Sequence, residues 1–281
     1  MKGSTVASRG ARAVRVQSTA FANRVARRLP ERDRVTTYMG YRFSYPSRSQ
    51  IGRAVSRGII WDTPLRNMVR TLPANDSVCE VGANLGASLL TMCHERADLK
   101  FVCFEGSPRF TGYLIENVAE NGLDGRVEVH QALIGPDATL WTLSSDVTSG
   151  SVAVQNRLRR GLLFKERIEA TSLDRWFAAR EPPGLIKVDT DGFEFQVLSS
   201  GSGMLSRRRP HLFMEYCPVL LSEVGDSSEE LLDLLLETGY SVADIYSPTG
   251  ELLRSGVPIA EVTTGPYDYI DMAIFGEVRS D

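Results

Sequence analysis

Short apolar runs alternate with amphipathic stretches along the chain from residue 77 onward. The apolar runs predict strands at 77–81, 101–105, 126–130, 184–189, 211–216, 240–246 and 269–275. The stretches between them predict helices at 86–96, 108–121, 172–180, 193–200 and 227–238. Strands that alternate with helices predict an α/β fold with a parallel sheet covered on both faces. The last two strands lack a helix between them and are expected to form an antiparallel hairpin at one edge.

The N-terminal part of the chain follows a different pattern. Tyr41, Phe43 and Tyr45 alternate with polar residues after a turn at Gly40, which predicts a small hairpin. Helical spacing of apolar residues predicts a helix over 61–72. We therefore expect an extension at 1–35, either a frayed helix or disordered, a hairpin and helix at 36–76, and the main domain at 77–281. Residues 144–170 are expected to form a loop over the substrate.

Charge is distributed unevenly along the 281 residues. Residues 1–70 contain 15 Lys or Arg and three acids, a net charge of +12, whereas the remainder carries −15. The basic front could contact an anionic surface, such as lipid headgroups or nucleic acid, or lie on the acidic body. Residues 1–30 are rich in Ser, Ala and Arg and carry no acid, so a transit peptide is a further, minor possibility.

Cysteine spacing and hydropathy indicate the compartment. The four cysteines have neither metal-ligand spacing nor the pattern of a disulfide framework, and they are predicted to be reduced packing residues: Cys79, Cys93, Cys103 and Cys217. No apolar run approaches the roughly 20 residues of a membrane-spanning helix. A cytoplasmic protein without a transmembrane segment is therefore expected.

An apolar strand, an acid, a glycine loop and a helix follow one another at residues 78–86. Glycine at positions 82 and 86 is explained if a side chain there would collide with a bound ligand, and if the turn requires positive φ. Their spacing differs from the Gly-x-Gly-x-x-Gly of dinucleotide sites, and Glu80 favours a cationic sulfonium over a polyphosphate. Glu105 ends the next strand, where a carboxylate can accept hydrogen bonds from both ribose hydroxyls of a bound nucleoside.

Four carboxylates are expected to converge at the ends of two neighbouring strands. Asp189 and Asp191 end the fourth strand, Glu194 begins the following helix, and Glu215 ends the next strand. Lys187 lies on the same face as Asp189 and can neutralise part of this charge. Alternatively, Asp191 and Glu194 form a helix-capping box with a purely structural role.

These carboxylates suggest two ways to activate a hydroxyl group, if the ligand of this site carries one. Asp189 is our first candidate for a general base, because like-charged neighbours and partial burial raise a carboxylate pKa. Alternatively, Asp189, Asp191 and Glu215 are possible ligands of a divalent cation such as magnesium, which would bind the hydroxyl and lower its pKa.

Five blocks carry a resemblance to a known family. They are Cys-Glu-Val-Gly-Ala-Asn-Leu-Gly at 79–86, Phe-Glu-Gly-Ser-Pro at 104–108, Thr-Ser-Leu-Asp at 171–174, Ile-Lys-Val-Asp-Thr-Asp-Gly-Phe-Glu at 186–194, and 210–215. With Asn117 and Asn121-Gly122, they make the chain resemble the FkbM family of S-adenosylmethionine-dependent methyltransferases from about Gly40 to Gly276. The resemblance implies the class I methyltransferase fold, a Rossmann-like doubly wound sheet of seven strands with the last antiparallel. It also implies the cofactor-binding residues Glu80, Gly82, Ala83, Asn84, Gly86, Glu105, Gly106 and Ser107.

Three positions depart from the family pattern. Glu80 stands where the family usually has Asp, and Asp191 where it usually has Glu, so each charge is kept but its reach shifts by one methylene. Gly106 replaces a commoner Pro or Asn and loosens the turn beside Glu105. We expect cofactor binding to survive these changes, which should act on substrate geometry instead.

The resemblance predicts transfer of a methyl group from S-adenosylmethionine to a hydroxyl of a small molecule, sugar or glycolipid. One alternative is a methyltransferase acting on RNA or protein, with the basic front as its docking surface. The Asn-Pro-Pro-Tyr motif of base-flipping methyltransferases is absent from the sequence, which argues against nucleic acid as a partner. Another alternative is a non-catalytic S-adenosylmethionine-binding module.

Overall fold

The computed structural model describes residues 33–60, 62–145, 152–154 and 165–276. Its strands are β1 (Asp33–Tyr38), β2 (Tyr41–Pro46), β3 (Ser77–Val81), β4 (Lys100–Glu105), β5 (Val127–Gln131), β6 (Leu133–Ile134), β7 (Leu140–Ser145), β8 (Val152–Val154), β9 (Lys165–Thr171), β10 (Leu185–Val188), β11 (His211–Tyr216), β12 (Val242–Tyr246), β13 (Leu252–Pro258) and β14 (Ile270–Ile274).

Its helices are α1 (Gln50–Val55), α2 (Thr63–Thr71), α3 (Ala87–Glu95), α4 (Pro108–Glu120), α5 (Leu173–Trp176), α6 (Glu194–Ser199), α7 (Ser202–Arg208), α8 (Pro218–Val224) and α9 (Ser228–Glu237), with a 3₁₀ turn at Ile259–Glu261. None of these helices combines the length and the hydrophobicity that a bilayer-spanning segment needs. Their arrangement around the strands gives the α/β fold that the sequence predicts.

Eight strands form the central sheet, in the order β13-β12-β14-β11-β10-β3-β4-β5. The five strands from β11 to β5 are parallel, whereas β14 lies between β11 and β12 and is antiparallel to both. The doubly wound sheet with an antiparallel last strand is therefore confirmed, but it has eight strands rather than the expected seven, because β13 was not predicted. The last two predicted strands, β12 and β14, do pair antiparallel. The expectation that they form a hairpin at the edge is wrong, because β13 lies there, paired with β12. Most of β13 is exposed, so it lacks the apolar run that reveals buried strands.

A second sheet of four strands, in the order β6-β9-β7-β8, follows β5. The expectation of a loop over 144–170 is wrong for β8 and β9, while 146–151 and 155–164 lie outside the described residues. Charged residues dominate the β9 sequence Lys-Glu-Arg-Ile-Glu-Ala-Thr, so no apolar run indicated a strand there. The predicted helix at 172–180 is shortened to α5, and α7 and α8 were not predicted.

Neighbouring residues of the buried strands pack into two cores on opposite faces of the central sheet. Val78 and Phe213 face the core formed with α2, α3 and α4, whereas Cys79 and Leu212 face the core formed with α5 to α9. All four cysteines are buried and unpaired, as their predicted packing role requires. The face on which each side chain lies is therefore fixed up to the carboxyl ends of these strands, where the candidate site is located.

The buried Asn117 side chain is one of several contacts that attach the N-terminal hairpin of β1 and β2 to the main domain. The Asn117 amide on α4 donates to the carbonyl of Ser44 at 3.0 Å and to that of Leu85 at 2.9 Å, while its oxygen accepts from Ser44 N at 2.6 Å. Asn117 thus joins the hairpin to the loop after β3.

Candidate active site

The loop between β3 and α3 adopts a conformation that requires glycine. Gly82, Asn84 and Gly86 have φ angles of 85°, 49° and 87°. A Cβ atom on Gly82 would lie 1.9 Å from the carbonyl oxygen of Asp189. The close neighbour is therefore backbone at the end of β10, and Gly82 is needed to bring the two strand ends together, rather than only to admit a ligand.

Glu105 holds this loop from the end of β4. Its two carboxylate oxygens accept hydrogen bonds from Asn84 N at 2.9 Å and Ser107 N at 2.7 Å. Burial raises the pKa of Glu105 to about 7, against the lowering effect of these backbone donors. Each oxygen retains acceptor capacity, so the carboxylate can still receive the ribose hydroxyls expected there.

A cavity of about 770 Å³ opens at the carboxyl edge of the central sheet. Among the predicted cofactor residues, its wall includes Gly82, Asn84, Glu105 and Gly106. Among the predicted catalytic residues, it includes Asp189, Asp191 and Glu215. The other predicted residues are not among those that line the cavity: Glu80, Ala83, Gly86, Ser107, Lys187 and Glu194.

Lys187 is the buried cation of the site, with only 2% of its side chain exposed. Its Nζ lies 3.1 Å from Asp189 Oδ2, 3.4 Å from Glu80 Oε1 and 3.4 Å from Asp62 Oδ2. Burial opposes its charged form, but the three carboxylates outweigh burial and hold the Lys187 pKa well above its usual value. The predicted neutralising role of Lys187 therefore has a geometric basis.

Glu80 lies in the middle of this arrangement and is completely buried. Ser88 on α3 donates to its Oε1, which also faces Lys187. Burial raises the pKa of Glu80, while Lys187 and Ser88 act in the opposite direction. The acid predicted to face the cofactor instead lies beneath the loop and pairs with Lys187.

Asp62 is a site residue that sequence analysis missed. It lies just before α2 and lines the cavity opposite β10. Its Oδ2 is buried and has no hydrogen-bond partner among the described residues, although it forms the ion pair with Lys187. Burial raises its pKa to about 6. The sequence did contain one indication of a special role, because Asp62 is the first acid after a stretch, residues 34–61, that contains five arginines and no acid.

Two more missed residues come from β14 and the turn before it. Asp271 faces Glu215 across the antiparallel β11–β14 pair, and Tyr269 lies two residues earlier; all three line the cavity. Burial, together with neighbouring carboxylates, raises the pKa of Glu215 to about 9 and that of Asp271 to about 8. Burial thus favours the protonated form of both carboxyls, in which each can donate a hydrogen bond.

Glu194 has a different environment from the other predicted acids. Its Oε1 accepts from Thr190 N and Thr190 Oγ1 at 3.0 Å and from Gly192 N at 3.3 Å. Burial raises its pKa to about 7. This geometry favours a structural role for Glu194, which braces the loop after β10. The expected capping box is wrong, because Phe193 rather than Asp191 is the residue before α6 and it makes no side-chain capping bond. Asp191 has a φ of 53° and lines the cavity.

The possible magnesium ligands Asp189, Asp191 and Glu215 share the cavity wall. Within the part of the chain that the structure describes, no group of three His, Cys, Asp or Glu side chains is arranged to hold a metal ion. The magnesium expectation thus gains no support from this geometry.

The chain is similar to several solved structures. A methyltransferase FkbM from Methylobacillus flagellatus KT is 16% identical, with 70% of this chain and 43% of that chain covered and a TM-score of 0.43. An O-methyltransferase family protein from Burkholderia thailandensis is 12% identical, with 82% and 63% covered and a TM-score of 0.41. The Methanococcus jannaschii fibrillarin pre-rRNA processing protein is 11% identical, with 88% and 84% covered and a TM-score of 0.43.

No curated protein gives a significant match. A family described as Methyltransferase FkbM domain matches residues 80–242, more than half of the chain. The matched segment begins at Glu80 on β3 and ends at the first residue of β12. It contains the glycine loop and the strand ends of β4, β10 and β11, whereas Asp62, Tyr269 and Asp271 lie outside it.

Proposed function

Because this chain belongs to the Methyltransferase FkbM domain family, we propose that it transfers the methyl group of S-adenosylmethionine to a hydroxyl oxygen of a small molecule, sugar or glycolipid. Methyl transfer follows from the family, and the hydroxyl acceptor is the proposed part. The observation that carries it is Asp189, a carboxylate that lines the cavity, is 35% exposed and is held by a buried lysine at 3.1 Å.

The chemistry of the cavity fits the proposed cofactor. Glu105 would receive the ribose hydroxyls, and Asn84 Oδ1 is a buried acceptor without a partner among the described residues. Three carboxylates face the one ammonium of Lys187, which favours a ligand that carries positive charge. When bound, S-adenosylmethionine supplies an electrophilic methyl group on a positively charged sulfur.

Asp189 is the proposed general base. Its Oδ2 accepts from Lys187 Nζ, so Oδ1 is the atom proposed to take the proton of the acceptor hydroxyl. Protonated Glu215 and Asp271 are proposed to orient that acceptor through hydrogen bonds. Apolar side chains in the wall, such as Ile51, would exclude water from the reacting groups.

The size of the cavity supports a small acceptor over a macromolecule. A volume of about 770 Å³ lies within the roughly 300–1,000 Å³ range of small-molecule sites. Such a space suits a cofactor together with a hydroxylated head group. Magnesium remains part of the proposal only as an additive to be tested, with Asp189, Asp191 and Glu215 as its ligands.

An anionic surface is the proposed partner of the basic front. Residues 56–60 are all exposed. Of these, Ile59 and Ile60 line the rim of the cavity and are 50% and 41% exposed. Arg53 and Arg57 are exposed beside them. Two adjacent isoleucines among arginines suit an anionic lipid surface better than nucleic acid, which offers no apolar layer.

The proposed reaction is tested by following S-adenosylhomocysteine release with a panel of hydroxylated glycans and metabolites, with magnesium and with EDTA. Asp189→Asn should abolish turnover and leave cofactor affinity, measured by calorimetry, within a few fold. Glu105→Ala should lose cofactor binding. Wild-type turnover by Asp189→Asn would remove the assigned base, and methylation of RNA or protein but of no small acceptor would refute the acceptor class.

A further inference from the structure

Asp62 occupies a position that ordinary helix formation does not explain. It is the residue before the first turn of α2, where a carboxylate usually caps the free backbone amides. Its side chain makes no such capping bond, and its backbone adopts the left-handed conformation with a φ of 49°. An aspartate at this position thus forgoes a cap and accepts backbone strain. Both costs point to a role for its carboxylate elsewhere.

The carboxylate is directed at Lys187. Asp62 Oδ2 lies 3.4 Å from Lys187 Nζ, and only 13% of the Asp62 side chain is exposed. A lysine ammonium has three N–H donors, and three carboxylates surround this one: Asp62, Glu80 and Asp189. Each partner comes from a different place, namely the segment before α2, the interior of β3 and the end of β10. Removal of Asp62 would leave Lys187 held by Glu80 and Asp189 alone, so one of the three contacts that fix the position of its ammonium would be lost.

Asp62 also belongs to a wall that the family match does not include. Residues 80–242 match the family, while Ile59, Ile60, Asp62 and Pro64 line the cavity from outside that segment. Asp62 supplies the charged contact in this wall. The N-terminal segment is therefore coupled to the strand that carries the proposed base.

We propose that Asp62 is a positioning residue of the methyl-transfer site, which fixes Lys187 against Asp189 and thereby completes the site from outside the family-matched segment. This role rests on the proposed function of Asp189. Asp62 is not assigned any proton transfer, because it acts through Lys187. Its loss should therefore affect the rate of the reaction more than the binding of the cofactor.

The test compares Asp62→Asn with a control that loosens the same helix. Glu95 on α3 accepts from Arg66 and Arg70 of α2, so Glu95→Gln weakens the attachment of α2 without touching Lys187. Asp62→Asn should lower kcat about 100-fold and leave the Kd for S-adenosylhomocysteine within about threefold, whereas Glu95→Gln should leave kcat nearly unchanged. A wild-type kcat for Asp62→Asn, or an equal loss in both variants, would overturn the proposal.

A second measurement needs no turnover. Urea unfolding of the cofactor-free protein is compared for Asp62→Asn, Lys187→Met and the double variant. If the two substitutions acted independently, their effects on the unfolding equilibrium constant would multiply. We expect the unfolding equilibrium constant of the double variant to be about tenfold smaller than that product. Additive effects would overturn the role of Asp62 whatever the turnover. Failure of the wild-type protein to methylate any acceptor would instead overturn the proposed function.

Discussion

Replacement of Lys187 by methionine is the most direct perturbation of the site. Methionine has a similar length and keeps the apolar part of the side chain, but it removes the ammonium that faces three carboxylates. Glu80 would then be a completely buried carboxylate whose remaining strong donor is Ser88. The variant therefore measures the cost of an unpaired buried acid in this sheet.

The expected loss follows from the burial of both partners. Removal of one member of a buried ion pair typically destabilises a protein by about 3–5 kcal/mol, because the other charge stays desolvated and unpaired. We expect a loss in this range for Lys187→Met, measured by urea denaturation at pH 8. Lys100→Met is the matched control, since Lys100 is exposed at the start of β4, and it should change stability by no more than about 0.5 kcal/mol.

Two further observations would identify the buried acids as the cause. Without the ammonium, the pKa of Glu80 and of Asp62 should rise further, so both acids are protonated more easily in the folded state. The deficit of Lys187→Met should consequently be smaller at pH 5 than at pH 8. Glu80→Gln in the same chain should restore part of the loss. A deficit below about 1 kcal/mol, or one that does not change with pH, would refute this account of the site.

Two other predictions concern different parts of the cavity. Burial and acidic neighbours raise the pKa of Glu215 in the folded protein to about 9. Protonation of Glu215 therefore stabilises the folded state, and this stabilisation is complete at acid pH and is lost as pH rises through the folded pKa. Thermal stability should therefore fall between about pH 5 and 9, and Glu215→Gln should flatten that fall; an unchanged slope would contradict the assignment. At the rim, Ile59→Asp with Ile60→Asp should weaken cosedimentation with anionic phosphatidylglycerol vesicles, whereas Ile115→Asp, at a residue 51% exposed on α4, should not. Equal binding by both variants would argue against the rim as the lipid contact, and salt-sensitive RNA binding without vesicle binding would favour nucleic acid.

The cofactor side of the site could be predicted because its signals are local. Gly82, Glu105 and Asp189 each follow a short apolar strand, and parallel strands bring such residues to one edge of the sheet. The sequence did not reveal why Gly82 must be glycine, because its close neighbour, the Asp189 carbonyl, is more than 100 residues away. Local pattern thus located the residue, while the contact that constrains it needed the fold.

Residues missed by the sequence come from segments without such a pattern. Asp271 lies within β14, a strand that was predicted, but only the insertion of β14 between β11 and β12 places it opposite Glu215. The expected edge position gave no reason to join the two acids. Asp62 precedes a predicted helix, where capping was the ordinary expectation, and its contact with Lys187 joins two residues that are far apart in the sequence. In both cases the function of an acid depends on a long-range pairing.

Lys187 joins the part of the cavity that lies within the family-matched segment to the part contributed by residues before it. Glu80 and Asp189 lie in the segment that matches the family, whereas Asp62 lies before it. Glu105 and Gly82 fix the loop after β3, and both lie within the matched segment. The segments that flank the match can therefore differ in sequence, and so change the shape of the cavity where the acceptor is proposed to bind, without altering this loop. Substitutions at the rim should accordingly alter which acceptor is used. A change at Lys187 should instead alter stability and rate together, because Lys187 contacts carboxylates both inside and outside the family-matched segment.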